Sequence, residues 1–258
     1  MNTLVIAETF LAFVIAVTLH EAAHAAMAAL LGDGSPRGAG RLSVNPRRQM
    51  ASIGTIVAIT LSFGIPLGYR PVGLGWGKPV DVDTRRMRVG PDMGIFLIAL
   101  AGPVFSLAMG LLFSIILHFM PGYSLLSSFA TNCYGETGSM LQLCLSHAQP
   151  AWQLRIEQFL FLLAATNILL ALLNLIPLHP LDGYDVLFAL LPNGPAVRLR
   201  DFQPYMELML LVLFFLIPYL LQIVRLDFLN PGLWLGQWSI ALAARVAGAA
   251  YPLFVYYL

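Results

Sequence analysis

Long apolar runs alternate with short polar stretches along this chain. The runs cover Thr3 to Leu31, Met93 to Met120, Ala151 to Ile176, Tyr205 to Val224 and Leu233 to Leu258. Each holds about 20 residues or more, enough to cross the hydrocarbon core of a bilayer as a helix. The first run stops at Gly32-Asp33-Gly34-Ser35-Pro36, a cluster of helix-breaking residues. Two shorter apolar pieces are less regular. Ser52 to Tyr69 carries Gly54, Gly64, Pro66 and Gly68, and Val186 to Leu191 follows a Pro/Gly-broken segment, Pro177 to Asp185. The pattern predicts an all-α polytopic membrane protein with about five to six transmembrane helices.

Composition agrees. Of 258 residues, 59% are hydrophobic and 10% charged, where a soluble domain carries about 25% charged residues. A net charge of +1 gives no reason to expect a nucleic-acid partner. The first Lys or Arg is Arg37, so the opening run lacks the basic flank of a cleaved signal peptide and is expected to stay as a helix. The whole chain, 1–258, reads as one integral membrane domain, with a core over about 3–190 and a C-terminal helix pair over about 205–258.

Charge placement sets the expected topology. Arg37, Arg41, Arg47 and Arg48 precede the 52–69 run, and Arg70, Lys78, Arg85, Arg86 and Arg88 follow it. Between Pro121 and Pro150 there is neither Lys nor Arg. By the positive-inside rule, 32–92 faces the cytoplasm and 121–150 faces outward. The 52–69 run then either dips in and returns or crosses against the rule. Re-entry is favoured, as a small re-entrant or β-like insertion between the first two helices, since irregular backbone is tolerated where protein or a wet cavity covers it.

The candidate chemistry lies inside the first run, at His20-Glu21-Ala22-Ala23-His24. On a helix, residues four apart share a face. Two imidazoles at that spacing can reach one Zn²⁺ at about 2.0–2.1 Å. Glu21, beside the first imidazole, can take a proton from water on the metal. The alternative is a pair of core histidines with a stray Glu, but ionisable groups in a membrane segment are expensive and mark function by default.

A hydrolytic zinc site takes three protein ligands and leaves one position open. Asp182, in Pro180-Leu181-Asp182-Gly183, and the neighbouring His179 are the two candidates. The ordinary reading of Asp182 is a turn residue at a helix end. Parity favours it as a ligand. If the first helix runs inward, the second returns outward and the third comes back in, Asp182 ends on the same side as His24. A full crossing by 52–69 would separate them.

At this point the chain resembles the site-2 protease family of intramembrane zinc metalloproteases. The resemblance rests on His20-Glu21-Ala22-Ala23-His24 and on Asn174-Leu175-Ile176-Pro177-Leu178-His179-Pro180-Leu181-Asp182-Gly183, which fits N-x-x-P-x-x-P-x-D-G at every fixed position. Gly40-Arg41 with Asn45-Pro46, Gly75-Trp76 with Lys78-Pro79, and Ala101-Gly102-Pro103 resemble the short bacterial and archaeal branch, without PDZ or CBS domains. The likeness covers roughly residues 10–190. Gln49 stands where branch members often have His, Ser106 where many have Asn, and His179 where a small or apolar residue is common.

The resemblance implies one Zn²⁺ per chain held by His20, His24 and Asp182, with Glu21 as general base and Asn174 as a possible oxyanion donor. An interhelical hydrogen bond is an equal reading of Asn174. The implied substrate is a transmembrane protein segment, unwound and held as an added strand, with 40–80 as the candidate edge. The implied setting is the cell membrane, multi-pass, in contact with the lipid bilayer and with the site toward the cytoplasmic side. A different class stays open: a metal-binding membrane protein without proteolysis, either a transporter or a pseudoprotease chaperone.

Weaker signals remain. Cys133 and Cys144 fall in the outward stretch, where they are either disulfide-bonded or free. His118 and His147 read as interfacial. Arg245 is expected to face the bundle or water, with Glu207 and Glu8 as candidate partners. The glycines near Gly102 and Gly110 read as permitting close helix packing.

Overall fold

In a computed structural model of the chain, residues 3–49, 82–120, 151–226 and 229–248 are described. Helix α1 spans Thr3–Leu31, α2 Pro91–His118 and α3 Ala151–Asn174. After an elbow come α4, Asp182–Leu190, and α5, Asn193–Asp201. Helix α6, Gln203–Leu211, runs through a π-helical turn, Val212–Leu216, into α7, Ile217–Ile223. Helix α8 spans Pro231–Val246. Short helical turns at Ser35–Gly38 and Pro46–Gln49 follow α1, and a 3-10 turn at Thr84–Arg86 precedes α2.

Among the described residues there are four stretches long and apolar enough to cross a membrane: Ala7–Leu31, Pro91–His118, Arg155–Asn174 and Gln203–Leu221. The described part of α8 has 16 residues. No strand occurs among the described residues, and 40–49, the described part of the candidate edge, is built of turns and a short helical turn. Hydrogen bonds local to that segment, described below, replace strand pairing there. The 52–69 run, Cys133, Cys144 and His147 lie outside the described residues.

Helices α1, α2 and α3 pack on one another, and α8 covers α3 and α2. Phe13, Ala16 and Val17 of α1 meet Leu170 of α3. Ala164, Ala165 and Ile168 of α3 meet Ala243 of α8, flanked by Leu107 and Phe113 of α2. In lipid, helices gain little by hiding apolar surface from one another, so close approach of small residues carries the association. Gly110 shows how close. A Cβ there would lie 2.6 Å from Ile168 Cγ1 and 3.0 Å from the Ala164 carbonyl oxygen. Polar side chains inside the bundle turn back on their own helices. Thr18 Oγ1 donates to the Val14 carbonyl, Ser114 Oγ to Gly110 and Asn167 Nδ2 to Leu163.

The C-terminal end of α1 is tied to the start of α2. Gly32, at φ +109°, closes α1 in a left-handed turn, with Gly32 N donating to the Ala29 carbonyl and Asp33 N to the Ala28 carbonyl. The fully buried Asp33 then accepts from Ser35 N and Ser35 Oγ through Oδ1, and from Asp83 N through Oδ2. Arg88 N donates to the Leu31 carbonyl. The two helices therefore leave from one end of the bundle and run antiparallel.

One smaller expectation needs correction. Arg245 is exposed and lies in the last turn of α8. Its suggested partners are engaged elsewhere: Glu8 with Arg155 at 4.0 Å, and Glu207 with His179 at 3.2 Å.

Candidate metal centre

His20 and His24 stand one turn apart on α1, buried in the bundle, with ring centroids 4.7 Å apart and planes at 81°. Their Nε2 atoms are 3.1 Å apart. Asp182 Oδ2 lies 2.9 Å from His20 Nε2 and 3.3 Å from His24 Nε2. One donor atom from each residue falls within 4.8 Å of the other two. Asp182, from the Pro-Leu-Asp-Gly elbow, thus meets the histidine pair across 162 residues of sequence.

The elbow explains how Asp182 arrives. Past Asn174 the backbone turns through Leu178 N to the Ile176 carbonyl and Leu181 N to the Leu178 carbonyl, both 2.8 Å. Asp182 is then the first residue of α4, which packs against α2. Gly183 makes this fold-back possible. A Cβ at that position would sit 2.5 Å from the carbonyl oxygens of both Leu175 and Ile176.

Helix α2 holds the two rings from the other side. His24 Nδ1 donates to the Ile98 carbonyl at 2.6 Å. A carbonyl only accepts, so Nδ1 carries the hydrogen and the neutral ring presents a lone pair at Nε2. His20 Nδ1 shares a 2.9 Å hydrogen bond with the buried Ser106 Oγ. Both Nδ1 atoms are thereby occupied and both Nε2 atoms face the same carboxylate. With Ser106 Oγ accepting from His20 Nδ1, both neutral rings would present Nε2 lone pairs beside a carboxylate oxygen, and such a His₂Asp donor set, with ring nitrogens anchored behind, suits a divalent cation such as zinc.

Gly102, read from sequence as a packing glycine, has a more specific place. A Cβ on it would overlap the His24 ring, 2.5 Å from Cε1, and come within 2.7 Å of His20 Cε1. The lack of a side chain there leaves room for both imidazoles. The sequence signal was a Gly-Pro pair inside an apolar run, although nothing in it named the neighbours. Ser106 and Ile98 gave less: a serine four residues on, and a backbone carbonyl that no side-chain pattern reveals.

Glu21 is buried beside His20 and His24, on the turn between them. Asn174 is buried at the end of α3, and its Nδ2 donates to the Leu170 carbonyl at 3.0 Å. His179 turns away toward Glu207 and stacks edge-on with Tyr184, with ring centroids 5.4 Å apart. It is not drawn into the cluster that His20, His24 and Asp182 form.

A helical bundle that encloses two histidines and an aspartate in an apolar setting offers a set of donors that could hold a metal ion. The comparison with known proteins makes this concrete: residues 75–217 match Peptidase family M50, and the chain belongs to that family. The match includes Gly102, Asn174 and Asp182, while His20, Glu21 and His24 lie before it. The chain is also 29% identical over 203 residues to "Putative zinc metalloprotease YwhC" of Bacillus subtilis (strain 168), covering 78% of this chain and 77% of that protein. No solved structure matches it significantly.

Proposed function

We propose that this protein is an intramembrane zinc endopeptidase, cutting peptide bonds within or near transmembrane segments of membrane-protein substrates at a site toward the cytoplasmic side. The observation that carries this reading is Asp182 Oδ2 at 2.9 and 3.3 Å from the Nε2 atoms of His20 and His24. These three residues would hold the zinc, which when bound supplies a Lewis acid to the scissile carbonyl and to the attacking water.

The chain's own residues supply the rest. Glu21 accepts the proton from the attacking water and returns it to the leaving nitrogen. Ser106 and the Ile98 carbonyl keep the rings from rotating. Burial of Glu21 and both histidines keeps bulk water from competing. Asn174 spends one amide hydrogen on Leu170, and its second is available to a developing oxyanion.

Comparative membrane proteomics of wild type against Glu21→Gln tests the reaction. The variant should retain zinc, lose cleavage by about 10²–10⁴-fold, and accumulate uncut membrane stubs. Cleavage at the wild-type rate would overturn the assignment of Glu21. Zinc content of purified Asp182→Ala tests the ligand set, and unchanged binding would remove Asp182 from it.

A further inference from the structure

We propose that Arg41 is a positioning residue of the hydrolytic centre, holding the Glu21 carboxylate, and that Gln49 holds Arg41 in place. This inference rests on the reading of Glu21 as the general base.

Arg37, Arg47 and Arg48 in the polar segment after α1 are exposed, as arginines at a membrane boundary usually are. Arg41 is buried, with 7% of its surface accessible, and its Nη2 lies 3.8 Å from Glu21 Oε2. A buried guanidinium is costly unless a carboxylate and further acceptors meet it. Arg41 has both, since Nη1 also donates to the Arg48 carbonyl.

The surrounding segment is built to present this side chain. The helical turns at Ser35–Gly38 and Pro46–Gln49 both pack along α1. Gly40 adopts φ +66°, a left-handed conformation, and a Cβ there would collide with the Arg48 guanidinium. Arg41 N donates to the Pro36 carbonyl at 2.8 Å. The fully buried Gln49 closes the loop, its Nε2 donating to the carbonyls of Arg41 at 2.6 Å and Ser43 at 2.8 Å. These bonds fix the backbone of Arg41 from both directions and leave the guanidinium facing α1.

The spacing suits a base. At 3.8 Å the pair attracts electrostatically without a direct hydrogen bond, so the guanidinium orients the carboxylate and leaves its lone pairs for a proton. A bidentate Arg-carboxylate pair would occupy those lone pairs. The loop therefore contributes to the centre although none of its residues is a ligand.

The test uses the full chain in detergent or nanodiscs, with Arg41→Met, Arg41→Lys and Gln49→Leu each made in the wild-type and Glu21→Gln backgrounds. Arg41→Met should keep its zinc and lower kcat by about 10–100-fold with KM little changed, the loss expected when a catalytic group is misplaced. Arg41→Lys should recover most of the rate. Gln49→Leu should lower kcat in the same sense, and in a double variant with Arg41→Met should add little to the loss from Arg41→Met alone. Thermal unfolding gives a readout independent of activity. Arg41→Met should lower Tm by several degrees in wild type and by much less in Glu21→Gln, where the carboxylate it meets is already gone. Equal Tm losses in the two backgrounds, or a wild-type kcat in Arg41→Met, would overturn the proposal. If wild type cleaves no substrate, the hydrolytic reading fails by itself, and the coupling of positions 41 and 21 in melting still decides whether the pair exists.

Discussion

The apolar stretches 155–174 in α3 and 203–221 in α6 and α7 have nearly the same length and the same mean hydropathy over an 18-residue window, yet 56% of that window is buried in the first and 12% in the second. Small residues account for the difference. Helix α3 carries Ala164, Ala165, Thr166 and Ala171 among its leucines, whereas Gln203 to Ile223 contains no Gly, Ala, Ser or Thr. Apolarity decides whether a segment prefers lipid to water. Whether it prefers another helix to lipid depends on how closely two backbones can approach. Helix α2 goes furthest in this direction, with Gly94, Gly102, Ser106, Gly110 and Ser114 all buried.

If small residues decide the packing, the most sensitive of them should be the one against the rings of His20 and His24. Gly102→Ala places a methyl group inside the His24 ring position. The ring has to turn away, breaking its bond to Ile98, and the zinc site loses its alignment. We expect cleavage to fall at least about 100-fold and zinc content to drop with it. Full zinc loading in Gly102→Ala would mean that α2 stands off from α1 further than described.

Ser106 sits one turn from Gly102 and should matter less. Ser106→Ala removes the partner of His20 Nδ1 without adding bulk. Loss of such a supporting bond costs about 10–100-fold in metal affinity. Competition against a zinc chelator measures it, and an unchanged affinity would show that packing alone orients the ring.

Much of this was legible in the sequence, and what was missed shares one cause. The i, i+4 histidines declare themselves through helical geometry, and Asp182 through a Pro/Gly elbow; the parity of crossings also needs the 52–69 run, which lies outside the described residues. Helix limits for α1, α2 and α3 follow from where the charges and breakers fall. Contacts between helices do not follow from such rules, because which face of α2 meets α1 depends on tertiary packing. Gly102 was therefore read as a spacer, without the histidines it accommodates. Likewise Glu207 was offered to Arg245, whereas the elbow carries His179 to it. The β-like edge assigned to 40–80 failed over 40–49 because Gln49 and Ser43 give that backbone local partners, which a strand would have sought from a neighbour.

At the membrane boundary the comparison moves from helix packing to a polar tie. Burial by itself would raise the Asp33 carboxyl, but hydrogen bonds from Ser35 and from the Asp83 backbone, with the charge of Arg86, hold it below the usual aspartate range. A depressed folded-state value stabilises the fold above the unfolded aspartate value, about 3.9, and that stabilisation is lost as pH falls through the lower folded value. Asp33→Asn sets an amide against one of the N–H groups that Asp33 now accepts from, costing about 1–3 kcal/mol at neutral pH. The difference from wild type should shrink as the pH is lowered below 4 or so. A gap that stays constant from neutral to acid pH in chemical unfolding would show that the charge of Asp33 contributes nothing to the tie.

The smallest effect should come from α6 and α7, and it is the one that tests the role given to small residues. Leu208 is 60% exposed and Leu220 50% exposed. In a bilayer such positions face lipid chains as apolar as themselves, so truncation removes little that lipid does not replace. Leu208→Ala and Leu220→Ala should each change stability by no more than about 0.5 kcal/mol, as surface substitutions do. The same change at Ile168, fully buried against α2 and α8, should cost about 2–5 kcal/mol through the cavity it leaves. Stability in graded denaturing detergent separates the two cases. Equal losses at 208 and 168 would mean that α6 is packed as tightly as α3 despite having no small residues, and backbone approach could no longer explain why two equally apolar helices are buried so differently.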